Sequence, residues 1–261
     1  LDWHEMANDV VGGVPVSLAY CTLCGAGIAF DGRASNGERY TFGSSGFLFR
    51  SNKLMYDRAT SSLWSTIRGE PVIGPLADSG IRLPRGSVVT STWGEWRRRH
   101  PDTLVLSLAT GYPRDYREGA AYREYFASDE LMFTVPRVDR RLDNKAEVLG
   151  LVFAAYPEQP LAIDARFLQR QRIYQDTVGE LDFVVFTDES GANRVYRSEG
   201  LVFTDWDGDV WVRDSSGTRW QLDEAALREE GGDRVLHRLP AQRAFWFGWF
   251  SAYNHTQLVV E

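Results

Sequence analysis

The sequence predicts a mainly β protein with short helices, built as two related β-rich units from an internal duplication. Three observations predict it. Runs of β-forming residues follow glycine turns, as at 14–20 after Gly12-Gly13 and at 181–187 after Gly179. Nine Trp, eleven Tyr and fourteen Phe supply the bulky side chains that pleated surfaces pack. Landmarks also recur in one order in the two halves, as a repeat requires.

Taken along the chain, residues 1–9 read as one or two helical turns, carrying His4 and Glu5 on different faces. The Gly turn and strand at 9–20 are echoed at 176–187. Cys21 to Gly25 form a turn, with a strand on either side. Phe42-Gly43-Ser44-Ser45-Gly46 reads as a β-turn, being neither a nucleophile elbow nor a phosphate loop. Residues 56–64 and 212–220 each read as a hairpin with a polar turn and a returning Trp64 or Trp220.

Leu83-Pro84 and Trp93-x-x-Trp96 are matched by Leu239-Pro240 and Trp246-x-x-Trp249. Thr103 and Thr256 each follow their tryptophan pair by seven residues. Arg97 to His100 end a helix that Pro101 stops. The expected organisation is a CxxC-bearing unit at 1–110, a Tyr/Arg-rich connector at 111–146 with a short helix near 118–128, and a second unit at 147–261. A strand at 146–153 opens the second unit without a counterpart in the first, so a further strand is expected ahead of residue 1. Asp205 to Asp209 read as a hairpin turn, because Val210 and Ser216 stand where a calcium loop needs Gly and Glu. The run Phe245 to Phe250 is too short to span a bilayer and reads as a plug in the core between the units.

The 261 residues are 43% hydrophobic and 25% charged, enough for a sizeable core. A formal charge of −7 opposes a nucleic-acid binder, which needs a basic face. No segment approaches the roughly 20 apolar residues of a membrane span. No nucleotide cofactor is expected. A protein partner or membrane association fits the composition.

The chemistry centres on Tyr20-Cys21-Thr22-Leu23-Cys24-Gly25, which holds both cysteines of the chain. Two thiols at this spacing can bind a soft metal, close a disulfide or shuttle electrons as a dithiol. One CxxC without a second ligand pair argues against a closed zinc knuckle. A copper or open zinc site would use Cys21 and Cys24 as thiolates and His4 as third ligand, with Glu5, Met6, Met55 and His100 as weaker candidates. Such a site would serve electron transfer, metal handling or oxidation. The alternatives are a non-enzymatic binding or assembly module with a disulfide clip, and a dithiol oxidoreductase. Strand flanks oppose the last, since redox CxxC pairs open helices. Opposite Cys21 and Cys24 in the second unit stand Asp188 and Gly191, so the thiols belong to one half only.

Trp3-His4-Glu5, Asn8-Asp9, Tyr20-Cys21-x-Leu23-Cys24-Gly25 and Phe42-Gly43-x-Ser45-Gly46 occur in order with Met55-Tyr56-Asp57-Arg58 and Ser62-Leu63-Trp64. Trp93, His100-Pro101 and Phe245-Trp246-Phe247-x-Trp249 complete the set. Together they resemble the prokaryotic domain-of-unknown-function family 3179 over nearly the whole chain. The resemblance implies an extracytoplasmic setting, periplasmic, extracellular or membrane-attached, and no established activity. Asn254-His255-Thr256 departs from the family's Pro-x-Thr, so the resemblance gives His255 no role.

Overall fold

The computed structural model describes residues 3–117 and 119–261. The chain divides into two compact units. Unit 1 comprises residues 1–86, 93–146 and 244–254; unit 2 comprises 87–92, 147–243 and 255–261.

Unit 1 opens with an antiparallel meander of β1 (Met6–Val11), β2 (Val14–Cys21) and β3 (Ala26–Asp31). β2 alternates between fully and partly buried side chains along most of its length, as a strand with one face on the core does. The helical turns expected over residues 1–9 are corrected here: residues 6–9 lie in β1, and residues 1 and 2 fall outside the described residues. Met6 and Ala7 are good helix formers, but the Gly12-Gly13 turn sets β1 in register with β2, Met6 opposite Ala19 and Val11 opposite Val14. A full ladder of pairing outweighs so weak a local preference.

A second meander follows, β4 (Phe42–Phe49), β5 (Asn52–Asp57), β6 (Leu63–Ser65) and β7 (Glu70–Ile73). The turn expected at 42–46 lies inside β4, whose register against β5 shifts between Ser44 and Leu48. Ser45 Oγ donates to the Leu54 carbonyl at 2.6 Å and pins that irregular stretch. Two helices follow, α1 (Trp93–Arg99) and α2 (Arg123–Phe126).

Residues 111–146 cluster with unit 1 rather than standing apart as a connector. Their apolar side chains cannot form a core alone. Tyr125 is buried with Phe245 and Phe247, and Leu23, Leu131 and Phe133 pack on that cluster. The aromatic run expected between the units therefore groups with unit 1.

Unit 2 contains β8 (Glu147–Leu151), β9 (Leu161–Asp164) and α3 (Ala165–Arg170), then the meander β10 (Ile173–Val178), β11 (Leu181–Thr187) and β12 (Asn193–Arg197). A five-stranded meander follows: β13 (Phe203–Trp206), β14 (Trp211–Asp214), β15 (Arg219–Leu222), β16 (Ala226–Glu229) and β17 (Val235–His237). β18 (Gln242–Phe245) and β19 (Gln257–Val259) complete a sheet of order β18-β8-β9-β19, with β19 parallel to β9. α4 (Trp246–Ala252) carries the aromatic run. The 205–209 segment is the hairpin turn expected, closed by Asp207 Oδ1 accepting from Asp209 N at 2.7 Å and Trp211 N at 3.1 Å.

Each unit thus runs from a three-stranded meander into a larger one, and the larger ones share a latch. In unit 1 the Trp64 indole donates to Asp57 Oδ2 at 3.0 Å; in unit 2 the Trp220 indole donates to Asp214 Oδ2 at 3.0 Å. The other oxygen of each carboxylate caps the polar turn, Asp57 Oδ1 taking Thr60 N at 2.6 Å and Asp214 Oδ1 taking Ser216 N at 2.9 Å. Burial works to raise both acids. The indole, hydroxyl and backbone donors outweigh it and hold them below the usual carboxylate range.

Candidate functional site

β2 and β3 pair up to Cys21 opposite Ala26, which leaves Thr22 to Gly25 as the connecting turn. Cys24 N donates to the Cys21 carbonyl at 3.1 Å and Gly25 N to the Thr22 carbonyl at 3.3 Å. The turn brings the Cα atoms of Cys21 and Cys24 to 5.2 Å, and the two sulfurs are joined in a disulfide. Both residues are buried, Cys21 2% exposed and Cys24 not at all. Cys24 Sγ lies 3.6 Å from the Ser51 carbonyl oxygen.

Distant segments of unit 1 hold this turn. Tyr125 OH donates to the Leu23 carbonyl at 2.8 Å, and Phe245 N donates to the Cys24 carbonyl at 2.7 Å. Gly25 has φ 58°, a left-handed conformation that favours glycine, and a Cβ there would stand 2.9 Å from the Phe245 ring. The turn residue is therefore fixed by backbone shape and by packing together.

A polar cluster lies alongside. Glu5, itself at φ 51°, accepts from Thr22 Oγ1 at 3.2 Å through Oε1 and from Ser44 Oγ at 2.9 Å through Oε2. Lys53 Nζ pairs with Glu5 Oε2 at 3.2 Å and donates to the Glu5 carbonyl at 3.0 Å and the Tyr20 carbonyl at 3.4 Å. Burial pushes the Lys53 ammonium below its ordinary value, and the Glu5 carboxylate opposes that shift. Next to Lys53, Asn52 Nδ2 donates to the Gly248 carbonyl at 2.9 Å. A charge buried on a strand is tolerable only when so completely paired.

The remaining candidates go elsewhere. His4 Nε2 is 2.7 Å from Tyr116 OH, and its ring stacks on Tyr116 with centroids 5.8 Å apart. Met6 lies on β1 opposite Ala19, and Met55 is fully buried on β5. His100 follows α1 and its ring lies tilted against Trp96, centroids 4.1 Å apart, at the helix-ending position its Pro101 implies. Among the described residues no three His, Cys, Asp or Glu side chains gather in a way that could hold a metal ion. A thiolate site would first need the disulfide reduced and the His4–Tyr116 contact released.

Lys53, Thr22, Ser44, Tyr125 and Phe245 are the members of the site that sequence reading missed. The one available signal is Lys53 within Asn52-Lys53-Leu54-Met55, a lysine in a strand buried on both faces.

Tyr125 also lines an open groove of about 1130 Å³, together with Tyr122, Arg123, Glu130 and Leu131. The CxxC turn, through Leu23 and Tyr125, therefore buttresses one wall of a cleft.

Neither the curated proteins nor the solved structures offer a match to the chain. A family model does: that of "Protein of unknown function (DUF3179)" matches residues 1–256, the CxxC turn and its whole surrounding included, and the chain belongs to that family.

Proposed function

We propose that the protein is an extracytoplasmic, non-enzymatic binding or assembly module in which the CxxC is a disulfide clip. One observation carries the reading: both sulfurs are spent on each other and buried, while the turn's carbonyls are tied to Tyr125 and Phe245. Thiol exchange needs an accessible sulfur for in-line attack, and metal ligation needs a free thiolate. A persistent disulfide suits an oxidising compartment, in keeping with the extracytoplasmic assignment. Binding falls to the groove that the clip supports, lined by aromatic and charged side chains. The matched meanders and Asp–Trp latches favour descent of the two units from one duplicated ancestor.

The test is alkylation of the unreduced protein followed by intact-mass measurement, with elemental analysis of the same sample. A clip resists alkylation until the protein is unfolded and reduced, and brings no stoichiometric metal. Free thiols together with about one copper or zinc ion per chain, lost in Cys21→Ser, would instead establish the metal site of Cys21, Cys24 and His4. Rapid reduction of the folded protein by a small dithiol would establish the oxidoreductase.

A further inference from the structure

Among the described residues, the most exposed large apolar side chains lie together, in unit 1, after α1. Leu104 is 96% exposed, Val105 70%, Leu106 87% and Leu108 70%. They belong to an uncharged stretch of eleven residues between Asp102 and Arg114 that forms neither helix nor strand. Four aliphatic side chains left so close together in water favour a partner that buries them.

What covers them is constrained by their geometry and by charge. Leu104 and Leu106 are exposed over nearly their whole surface, and Val105 and Leu108 over most of theirs. A strand added edge-on would pair the backbone and leave side chains so fully exposed largely wet. A medium that surrounds the loop covers all of them. The shoulders are basic: from Trp93 to Arg117 five arginines stand against three carboxylates, in a chain whose net charge is −7. Arg97, Arg98, Arg114 and Arg117 are all exposed. Trp93 is exposed on the first turn of α1, and Tyr112 is exposed at the far end of the loop. The indole of Trp96 donates to Thr103 Oγ1 at 3.2 Å, tying the loop's first residue to the helix.

We propose that this loop is a membrane-docking element that inserts shallowly into an anionic bilayer surface. Leu104, Val105, Leu106 and Leu108 enter the boundary between headgroups and acyl chains. Trp93 and Tyr112 sit at the headgroup level, where amphipathic rings are favoured. Arg97 and Arg114 meet the lipid phosphates, while Arg98 and Arg117 are already paired with Glu95 and Asp115. Insertion stops at the interface, because an irregular backbone needs water or headgroups to satisfy its N–H and C=O groups. No described helix is long and apolar enough to cross a membrane, so the loop would dock the chain without spanning.

The experiment is flotation of the full chain with vesicles of equal parts phosphatidylglycerol and phosphatidylcholine, and with vesicles of phosphatidylcholine alone. The wild type is expected to float with the anionic vesicles and to be released at about 1 M salt, where screening shortens to roughly 3 Å. Leu104→Ser/Leu106→Ser should lower the partition coefficient by about tenfold or more. Arg97→Gln/Arg114→Gln should lower it by about tenfold on anionic vesicles. Val202→Ser, at an exposed apolar site in unit 2, should leave it unchanged. Circular dichroism of each variant should match the wild type, since every substituted side chain is solvent-exposed. Failure of the wild type to float, or flotation untouched by the leucine substitutions, would overturn the proposal. So would a concentration-dependent dimer, abolished by the leucine substitutions, in a protein that ignores vesicles; the loop would then belong to a second copy.

Discussion

Two hairpin turns in this molecule share one backbone hydrogen bond and have different fasteners. In unit 1, Cys24 N donates to the Cys21 carbonyl; in unit 2, Gly191 N donates to the Asp188 carbonyl at 2.9 Å. Both turns use a left-handed glycine, Gly25 at φ 58° and Gly191 at φ 83°. The first is closed by the Cys21–Cys24 disulfide. The second is closed by the Asp188 carboxylate, whose Oδ1 accepts from Ser190 N at 2.9 Å and Ala192 N at 3.0 Å, while Oδ2 takes Arg194 Nη1 at 2.8 Å. A covalent bond between neighbours needs no further partner. A buried carboxylate does, and it recruits Arg194, which in turn recruits Glu224 at 2.8 Å. The ionic turn is therefore tied down through a chain of charged side chains, whereas the covalent one is tied down through its carbonyls, to Tyr125 and Phe245.

Breaking the ionic fastener should cost most. Arg194→Met leaves Asp188 buried without its cation and should destabilise unit 2 by about 3–5 kcal/mol, read from urea unfolding. The Asp–Trp latches come next and test whether the two units are equivalent. Asp57→Ala and Asp214→Ala each strand a buried indole and a turn, and each should cost about 2–3 kcal/mol. Equal costs support one shared design; a cost confined to one unit breaks the likeness. The same carboxylates predict a pH response. Their folded values lie below the ordinary aspartate value of 3.8. The stability they supply is complete above that value and is lost as pH falls through the folded ones.

Removing the covalent fastener should cost less than removing the ionic one. Closing so short a loop restricts the unfolded chain little, so Cys21→Ser/Cys24→Ser should cost about 2 kcal/mol. A larger loss would mean that the disulfide also organises the Glu5–Lys53 cluster. The smallest contrast separates the two glycines. Both alanine variants suffer left-handed strain of about 1–2 kcal/mol, but Gly25→Ala also meets the buried Phe245 ring, while Gly191→Ala meets only the far end of the Gln169 side chain. Gly25→Ala should be the worse by about 1 kcal/mol, near the cost of overpacking a core.

Much of the fold was legible because hairpins announce themselves locally. The Gly12-Gly13 and Gly179 turns and the Trp64 and Trp220 hairpins are set by neighbours within a few residues, and they stand where their turn chemistry put them. The segment 6–9 misled because its helix-forming side chains say nothing of β2, which captures it. The CxxC was legible as the distinctive feature, but its surroundings were not. Lys53 reaches Glu5 across 48 residues and Tyr125 reaches Leu23 across 102, and no periodicity encodes such contacts. His4 shares the chain's first segment with the route to the cysteines, yet in the turn ahead of β1 it meets Tyr116, 112 residues away.

The composition of unit 1 has a consequence for how the chain is made. Its last segment, residues 244–254, supplies the amide that caps Cys24 and the ring that covers Gly25, yet all of unit 2's main segment is synthesised in between. A chain emerging from the ribosome or an export channel can form the β1–β3 meander early, but it cannot close the shell around the cysteines until unit 2 has passed. Loop closure over such a distance is slow relative to local pairing. Throughout that interval the cysteine turn lacks both the Phe245 amide on Cys24 and the Phe245 ring on Gly25.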